Sequence, residues 1–411
     1  MSLSKRGMAN VKDMSPLMHA DFSTRDKRYN PVTRKDGYIN LGTAETHLID
    51  DEIINLLYKL QNTMNIKPNH LHYDFFYGSK DFRTAIANHW QKVIFEDENH
   101  RKITADNIIV GSGCSLALEM LATMLGDPGD VFLVPAPYYS GFEDDFSERA
   151  KIELVPVHCG ENMDKDIFEK VYNEEILKGK KVVGVLYSSP NNPTGTVYSE
   201  DAIKNVIDFS ISHNLDIVSD EIYGQTIHDP NTKWISTLKL VPDSYIEHVH
   251  VTSSFAKDFA LSGFRTGFAI SFNKDLIKGM QNLAYYSGVS THTQGLLTEL
   301  LKSSELPKLM EDNKKQLHIS YQRIETALNK LDIKTKKAQG GIFIFANFAK
   351  YLEEQTFEAE NKLWEKMFCD LKLNISPGRI FATNEPGWFR ICYALEPSII
   401  EEVIRRLSTL K

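Results

Sequence analysis

The sequence predicts an α/β layered domain, with a mixed but mostly parallel sheet, joined to a smaller α+β domain. Three observations carry this expectation. Short β-rich runs alternate with helix-period segments between about residues 108 and 252. After about 305 the pattern changes to a long amphipathic segment followed by mixed strands and helices. The 411 residues also exceed what one small module needs. The expected division is 46–305 for the large domain, with 1–45 and 306–411 forming the small one and its N-terminal arm.

Up to about residue 45 the chain is polar and irregular, and Tyr38-Ile39-Asn40-Leu41 is its first extended piece. Phe82, Ile86, Trp90 and Val93 recur at helical spacing, with Ser79 in the N-cap position. Ile108-Ile109-Val110 leads through Gly111-Ser112-Gly113 into the helical Leu116–Leu125. Val131–Val134, Val182–Tyr187, Asp216–Ser219 and His248–Thr252 read as strands, with helical patterns near 165–178 and 199–213 between them. An amphipathic segment runs from about 305 to about 332, and Lys334-Thr335-Lys336-Lys337 reads as a solvated turn. Gly340–Phe345, strands around Ser376 and Phe389–Tyr393, and a last helix complete the small domain. The absence of repeats, low-complexity tracts and long linkers predicts tightly joined domains.

Bulk properties exclude several classes. With 42% hydrophobic and 25% charged residues the composition is that of a soluble globular protein. The formal charge of −8 argues against nucleic-acid binding, which needs basic patches. No apolar stretch approaches the ~18 residues of a membrane span, and the N-terminus has no apolar leader. Cys114, Cys159, Cys369 and Cys392 show no C-x-x-C spacing, so neither a disulfide framework nor a zinc site is expected, and a cytoplasmic location fits. His70/His72 and His248/His250 lack an H-E-x-x-H or a third ligand, so no metal is expected.

The chemistry concentrates at the ends of the predicted strands. In Ser254-Phe255-Ala256-Lys257 the lysine closely follows a β-rich run, where the edge of a parallel sheet presents side chains to a cleft. Buried near another cation, such an amine loses its proton readily and attacks aldehydes. Asp220 follows another strand and is suited to pair with a protonated ring nitrogen; Tyr223, three residues on, reaches the same ring's oxygen. Asn191-Asn192-Pro193-Thr194-Gly195 supplies turn dihedrals that hold an Asn side chain rigidly as a donor. Gly111-Ser112-Gly113-Cys114-Ser115, between a strand and a helix, offers free N–H groups to a phosphate, although it lacks both G-x-G-x-x-G and Gly-Lys-Ser. Arg265 adds a second phosphate charge. Arg390, on a late strand, has the planar fork that binds a carboxylate bidentately.

In sequence these elements run glycine loop, Tyr138-Tyr139, N-P-x-G, D-x-x-Y, S-x-x-K, Arg265 and Arg390. That order, from about 37 to 395, resembles the class I/II aminotransferases of pyridoxal-phosphate (PLP) fold type I. Gly37–Leu48, Pro137–Phe142, Ser219–Thr226 and Ser254–Gly267 are most similar to 1-aminocyclopropane-1-carboxylate (ACC) synthases and ACC-synthase-like aminotransferases. The resemblance implies PLP as cofactor and Lys257 as its Schiff-base lysine, with Asp220 the pyridinium partner and Asn192 and Tyr223 the phenolate-oxygen donors. Tyr139 matches the aromatic stacked on the ring, with Tyr138 as the alternative. Gly113, Cys114 through its backbone N–H, Ser115, Ser254 and Arg265 match the phosphate cup. Arg390 matches the α-carboxylate fork, and Glu45, following Ala44, an acidic residue near the substrate. The chain departs from the pattern at Phe76, beside Tyr77, where the family carries a tyrosine contributed across a dimer.

The implied reaction moves an amino group between an L-amino acid and a 2-oxo acid. ACC-synthase-like or β-eliminating lyase chemistry is the alternative, and a non-catalytic regulator the least favoured reading. A homodimer with shared sites is implied, Val289–Gln294 resembling a segment that faces the partner's cofactor.

Overall fold

The computed structural model describes residues 3–64, 66–96 and 101–410. An N-terminal arm with two short helices, Lys5–Ala9 and Pro16–Phe22, leads to strand β1 (Ile39–Asn40). The helices Asp50–Thr63 and Lys80–Phe95 follow, and Ser79 caps the second by accepting from the Phe82 N–H at 3.3 Å.

Seven strands then build the large sheet: β2 (Ile108–Gly111), β3 (Val131–Pro135), β4 (Glu153–Val157), β5 (Val182–Ser188), β6 (Asp216–Asp220), β7 (Val249–Ser254) and β8 (Gly267–Ser271). Their order is β2-β8-β7-β6-β5-β3-β4; β8 runs antiparallel to both neighbours and the other pairs are parallel. Two hydrophobic cores flank this sheet, and successive residues of a strand enter opposite ones. Ile108, Val110, Val131 and Leu133 face one core, whereas Ile109, Phe132 and Val134 face the other. Burial on both faces is why these strands read as near-continuous apolar runs. The strand β4, partly exposed and carrying Pro156, and β8, opening on Gly267, escape that pattern.

One edge of the sheet collects the predicted chemistry. β6 ends at Asp220 and β7 at Ser254, while β8 begins at Gly267, opposite both Gly111 and Ser254. The ends of the parallel strands and the start of the antiparallel one therefore share a rim.

The C-terminal part holds β9 (Lys334–Thr335), β10 (Phe343–Asn347), β11 (Leu373–Asn374), β12 (Ser376–Pro377) and β13 (Trp388–Cys392). Four of them form an antiparallel sheet in the order β12-β13-β10-β9, and β11 pairs in parallel with β1. The arm is thereby tied to the C-terminal part, helped by buried Arg406, whose guanidinium donates to the Gly37 and Lys35 carbonyls at 2.8 and 3.0 Å. The lysine cluster differs from expectation. Lys334-Thr335 is an edge strand paired with Asn347 and Ala346, because lysines on an edge keep their ammonium groups in water while the backbone pairs.

The two sheets meet where Gln339 and Gly340 N–H groups donate to the Gly195 carbonyl at 2.8 and 3.1 Å. Gly195 has φ +72°, and a Cβ there would lie 2.5 Å from Ala338 Cβ and 2.9 Å from the Gly340 oxygen. Gly195→Ala should therefore lower stability by about 1–3 kcal/mol in urea unfolding, through strain and clash together. Gly263→Ala, with nothing within 4 Å of the added methyl, should stay within about 0.5 kcal/mol.

Candidate active site

A cavity of about 590 Å3 opens at the shared rim, between the large sheet, the C-terminal part and the N-terminal arm. Ala44, Cys114, Ser115, Tyr139, Asn192, Asp220, Tyr223, Ser254, Lys257, Arg265 and Arg390 all line it. Of the site residues expected from the sequence, Gly113, Glu45 and the alternative Tyr138 are outside the lining.

The Lys257 amine donates to the Ala44 carbonyl oxygen. Burial lowers its pKa to about 8; Glu45 opposes the shift, and Arg390 and Arg265 add to it. Glu45 thus acts on the amine by charge although it is not part of the cavity lining. Asp220 is 4% exposed, and its Oδ1 accepts from Thr252 Oγ1 at 3.1 Å and Cys114 Sγ at 3.5 Å. Burial pushes its carboxyl up to about 6, against the stabilising bonds from Thr252, Cys114 and the Ile222 N–H and the charge of Lys257.

Asn192 is held by the turn that precedes Gly195. Asn191 Oδ1 accepts from the Thr194 N–H and hydroxyl at 3.2 and 2.8 Å, and the Asn192 N–H donates to Ser188 Oγ at 3.1 Å. Asn192 Oδ1 accepts from Arg390 Nη1 at 2.9 Å, which turns its amide NH2 elsewhere. The second Arg390 nitrogen donates to the Gly42 carbonyl, and its guanidinium lies over the Phe343 and Phe381 rings at 5.2 and 4.9 Å. Buried Nε has no partner, and no carboxylate lies within 4.0 Å of this cation among the described residues.

Tyr139 enters the cavity. Tyr138 does not; its hydroxyl donates to Glu143 at 2.7 Å and its N–H to the Phe381 carbonyl at 3.0 Å. Tyr223 is buried with its ring edge-on to Phe343 at 5.2 Å, and burial raises its hydroxyl well above the usual range. Arg265 donates to the Ser262 carbonyl at 3.2 Å, and its guanidinium lies so close to Gly113 that a Cβ there would sit 2.5 Å from Nη2. Phe76 and Tyr77 lie outside this chain's cavity: Phe76 packs edge-on against Tyr285 at 4.9 Å, and Arg83 covers Tyr77 at 4.8 Å. Gln294, in the 289–294 segment, accepts from the Ser79 N–H at 2.8 Å.

Sequence reasoning missed several groups. Thr252 was legible in principle, since alternation along β7 puts it on the same side as Ser254. The Cys114 thiol, Asp145 and Trp364 carry no such signal. Asp216 bridges His248 and His250 at 3.1 and 3.4 Å, yet no group of three or more His, Cys, Asp or Glu suited to a metal occurs among the described residues. No helix among them is long and apolar enough to cross a membrane.

The family profile "Aminotransferase class I and II" matches residues 38–407. The chain belongs to this family. The aminotransferase-family chain is 32% identical to 1-aminocyclopropane-1-carboxylate synthase 1 of Cucurbita pepo over 93% of its own length and 80% of that protein. It is 33% identical to 1-aminocyclopropane-1-carboxylate synthase 11 of Arabidopsis thaliana over 87% of its length and 80% of that protein. A double mutant of Thermus thermophilus aspartate aminotransferase shares its fold, with a TM-score of 0.81 over 100% of both chains at 20% identity. The fold is thus PLP fold type I, and the protein is a PLP-dependent enzyme. The cavity fits that cofactor. It offers an amine of lowered pKa, a buried carboxyl, and in Arg265 a cation with no carboxylate within 4.0 Å among the described residues, against a glycine that leaves room for it.

In apoprotein, acylation of Lys257 followed by peptide mass spectrometry should rise with pH to a midpoint near 8, not the ordinary ~10.4. Arg390→Gln should move the midpoint up and Glu45→Gln should move it down, because the two charges act on the amine with opposite sign.

Proposed function

We propose that the protein moves an amino group between an L-amino acid and a 2-oxo acid, with Lys257 as its proton carrier. The observation that supports this best is the meeting of three groups in one cavity: a lysine titrating near neutrality, the buried Asp220 and a buried Arg390 without an anionic partner. Arg390 receives the substrate carboxylate on its fork and so fixes the direction of the Cα–H bond. Lys257 Nζ, neutral above about pH 8, takes the Cα proton and is the group that gives it back. When bound, PLP supplies an aldehyde that condenses with amines and a protonated ring that takes up electrons from the broken Cα–H bond.

In this reading Asp220 holds the ring nitrogen and Tyr139 covers the ring face. Tyr223 and the Asn192 amide hold the ring oxygen. Gly113, the Cys114 N–H, Ser115, Ser254 and Arg265 hold the phosphate, while Ala44 and Glu45 border the amino-acid substrate. Residues 46–305 act as the large unit, with 1–45 and 306–411 as the small one that carries Arg390. A second reading, formation of 1-aminocyclopropane-1-carboxylate, has in its favour the identity to the two synthases and uses the same Lys257, Asp220 and Arg390. Phe76, at the family's tyrosine position, weighs against it.

We also take the protein to be a cytoplasmic homodimer. Leu71, Tyr73, Phe75, Phe76, Tyr285 and Tyr286 are exposed large side chains, two runs joined by the Phe76–Tyr285 contact; such a patch suits a partner surface. The four cysteines are all free thiols, as a reducing compartment requires. Sedimentation equilibrium should give twice the 46.8 kDa chain mass, and Tyr73→Lys with Tyr285→Lys should shift it toward monomer.

Titrating the holoenzyme with single amino acids separates the two readings. Transfer predicts loss of the cofactor's visible band with a matching rise of the pyridoxamine form. Released ammonia, or a cyclic amino acid, without that conversion supports lyase chemistry instead. Arg390→Ala should raise the half-saturating concentration of every amino acid by about 10- to 100-fold, the loss expected for a bidentate charge-assisted pair. Lys257→Ala should abolish borohydride-fixed cofactor label; persistence of label would overturn the assignment.

A further inference from the structure

Asp21, Asp144 and Asp145 line the cavity without a part in this scheme, and of these Asp145 is the buried one. Asp145 lies on the one-turn π-helix Glu143–Ser147, lines the cavity and is 7% exposed, yet its buried Oδ2 has no hydrogen-bond partner. A buried acceptor left unpaired costs free energy unless the group carries a proton or a ligand satisfies it. Its surroundings identify which ligand. Ser115 and Arg265 line the same cavity, the Arg265 guanidinium beside Gly113, and both favour the ionised form of the carboxyl. These are the residues to which the phosphate is assigned above.

We propose that Asp145 is a member of the phosphate cup, entering it as a carboxylic acid whose O–H donates to a phosphate oxygen beside Ser115 and Arg265. The proposal rests on reading the cavity as a PLP site. An ionised Asp145 would repel the anion, whereas a protonated one supplies the donor that an unpartnered oxygen in an anion pocket needs. No bond is made or broken; binding of the anion holds one proton on Asp145.

The charges around it favour this state. Burial pushes Asp145 up to about 7, and Asp220 and neighbouring Asp144 push in the same direction, against Ser115 and the Arg265 charge. Tyr139 from the preceding turn and Cys114 from the adjoining helix face the same space as un-ionised groups, both raised by burial. Glu119 on that helix is engaged by Arg149 at 3.5 Å, and Glu153 on β4 by Lys180 at 2.5 Å, so neither supplies a free charge.

Sulfate is the probe, because it stays a dianion where phosphate itself titrates. Calorimetry of sulfate binding to full-length apoenzyme should show affinity falling by up to about tenfold per pH unit above Asp145's titration. Lys257 discharges in the same range in any variant, so the comparison is with Asp145→Asn, which keeps an N–H donor but cannot ionise. The variant should have a slope shallower by about one proton and bind more tightly than wild type at about pH 8.5. Independently of how the variant folds, wild-type apoenzyme near neutral pH should gain a protonated-carboxyl C=O band in infrared difference spectra when sulfate is added. Equal slopes in the two proteins, or no gain of that band, would overturn the role of Asp145. Wild type that binds neither sulfate nor PLP would overturn the cavity reading itself, and this inference with it.

Discussion

A guanidinium buried without a counterion organises this molecule. Removing a cation from water costs several kcal/mol unless the protein replaces its hydration. Arg390 receives that replacement from three separated parts of the chain: the Asn192 amide oxygen, the Gly42 carbonyl and the Phe343 and Phe381 ring faces. Each contact draws a different element to one point: the turn after β5, the arm after β1, and the small sheet itself. None of them neutralises the charge, and Nε stays unpartnered. In the proposed function a substrate carboxylate supplies the missing negative charge, with the planar geometry that a guanidinium matches.

The same dryness sets the protonation states around it. Burial disfavours whichever form is charged, so the Lys257 amine is lowered to about 8 while Asp220 and Asp145 are raised to about 6 and about 7. An amine and two carboxyls, whose ordinary values lie far apart, are drawn into a narrow range around neutrality, where each one's state depends on its neighbours. Local hydrogen bonds then separate them. Asp220 has Thr252, Cys114 and the Ile222 N–H to favour its ionised form, whereas Asp145 has only Ser115 and Arg265 to do so and keeps an unpaired oxygen.

Much of this was legible in the sequence because its signals are local. Parallel strands buried on both faces read as apolar runs, and a lysine or aspartate just past such a run lies at the rim whatever the rest of the fold does. That reasoning reaches Lys257 and Asp220, turn chemistry reaches Asn192, and Ser254 comes only from the family resemblance. It fails for β4 and β8, whose exposure or glycine start breaks the apolar run, and for Lys334-Thr335, where an edge strand has the composition of a turn. It also fails for Cys114 as a donor to Asp220. The sequence marks that residue only as part of a glycine loop, and its thiol meets the carboxylate through the pairing of β2, β8, β7 and β6.

The residue order alone determined the fold class, the chemical types of the site and the rim on which they stand, because strand ends and turns are short-range features of a chain. Only the tertiary structure decided which of Tyr138 and Tyr139 enters the cavity, that Glu45 acts on Lys257 through charge from outside it, and that Asp145 is buried beside Ser115 with an oxygen to spare. Those outcomes depend on desolvation and on contacts between residues far apart in sequence. Neither quantity exists until the two sheets and the arm close around the same space.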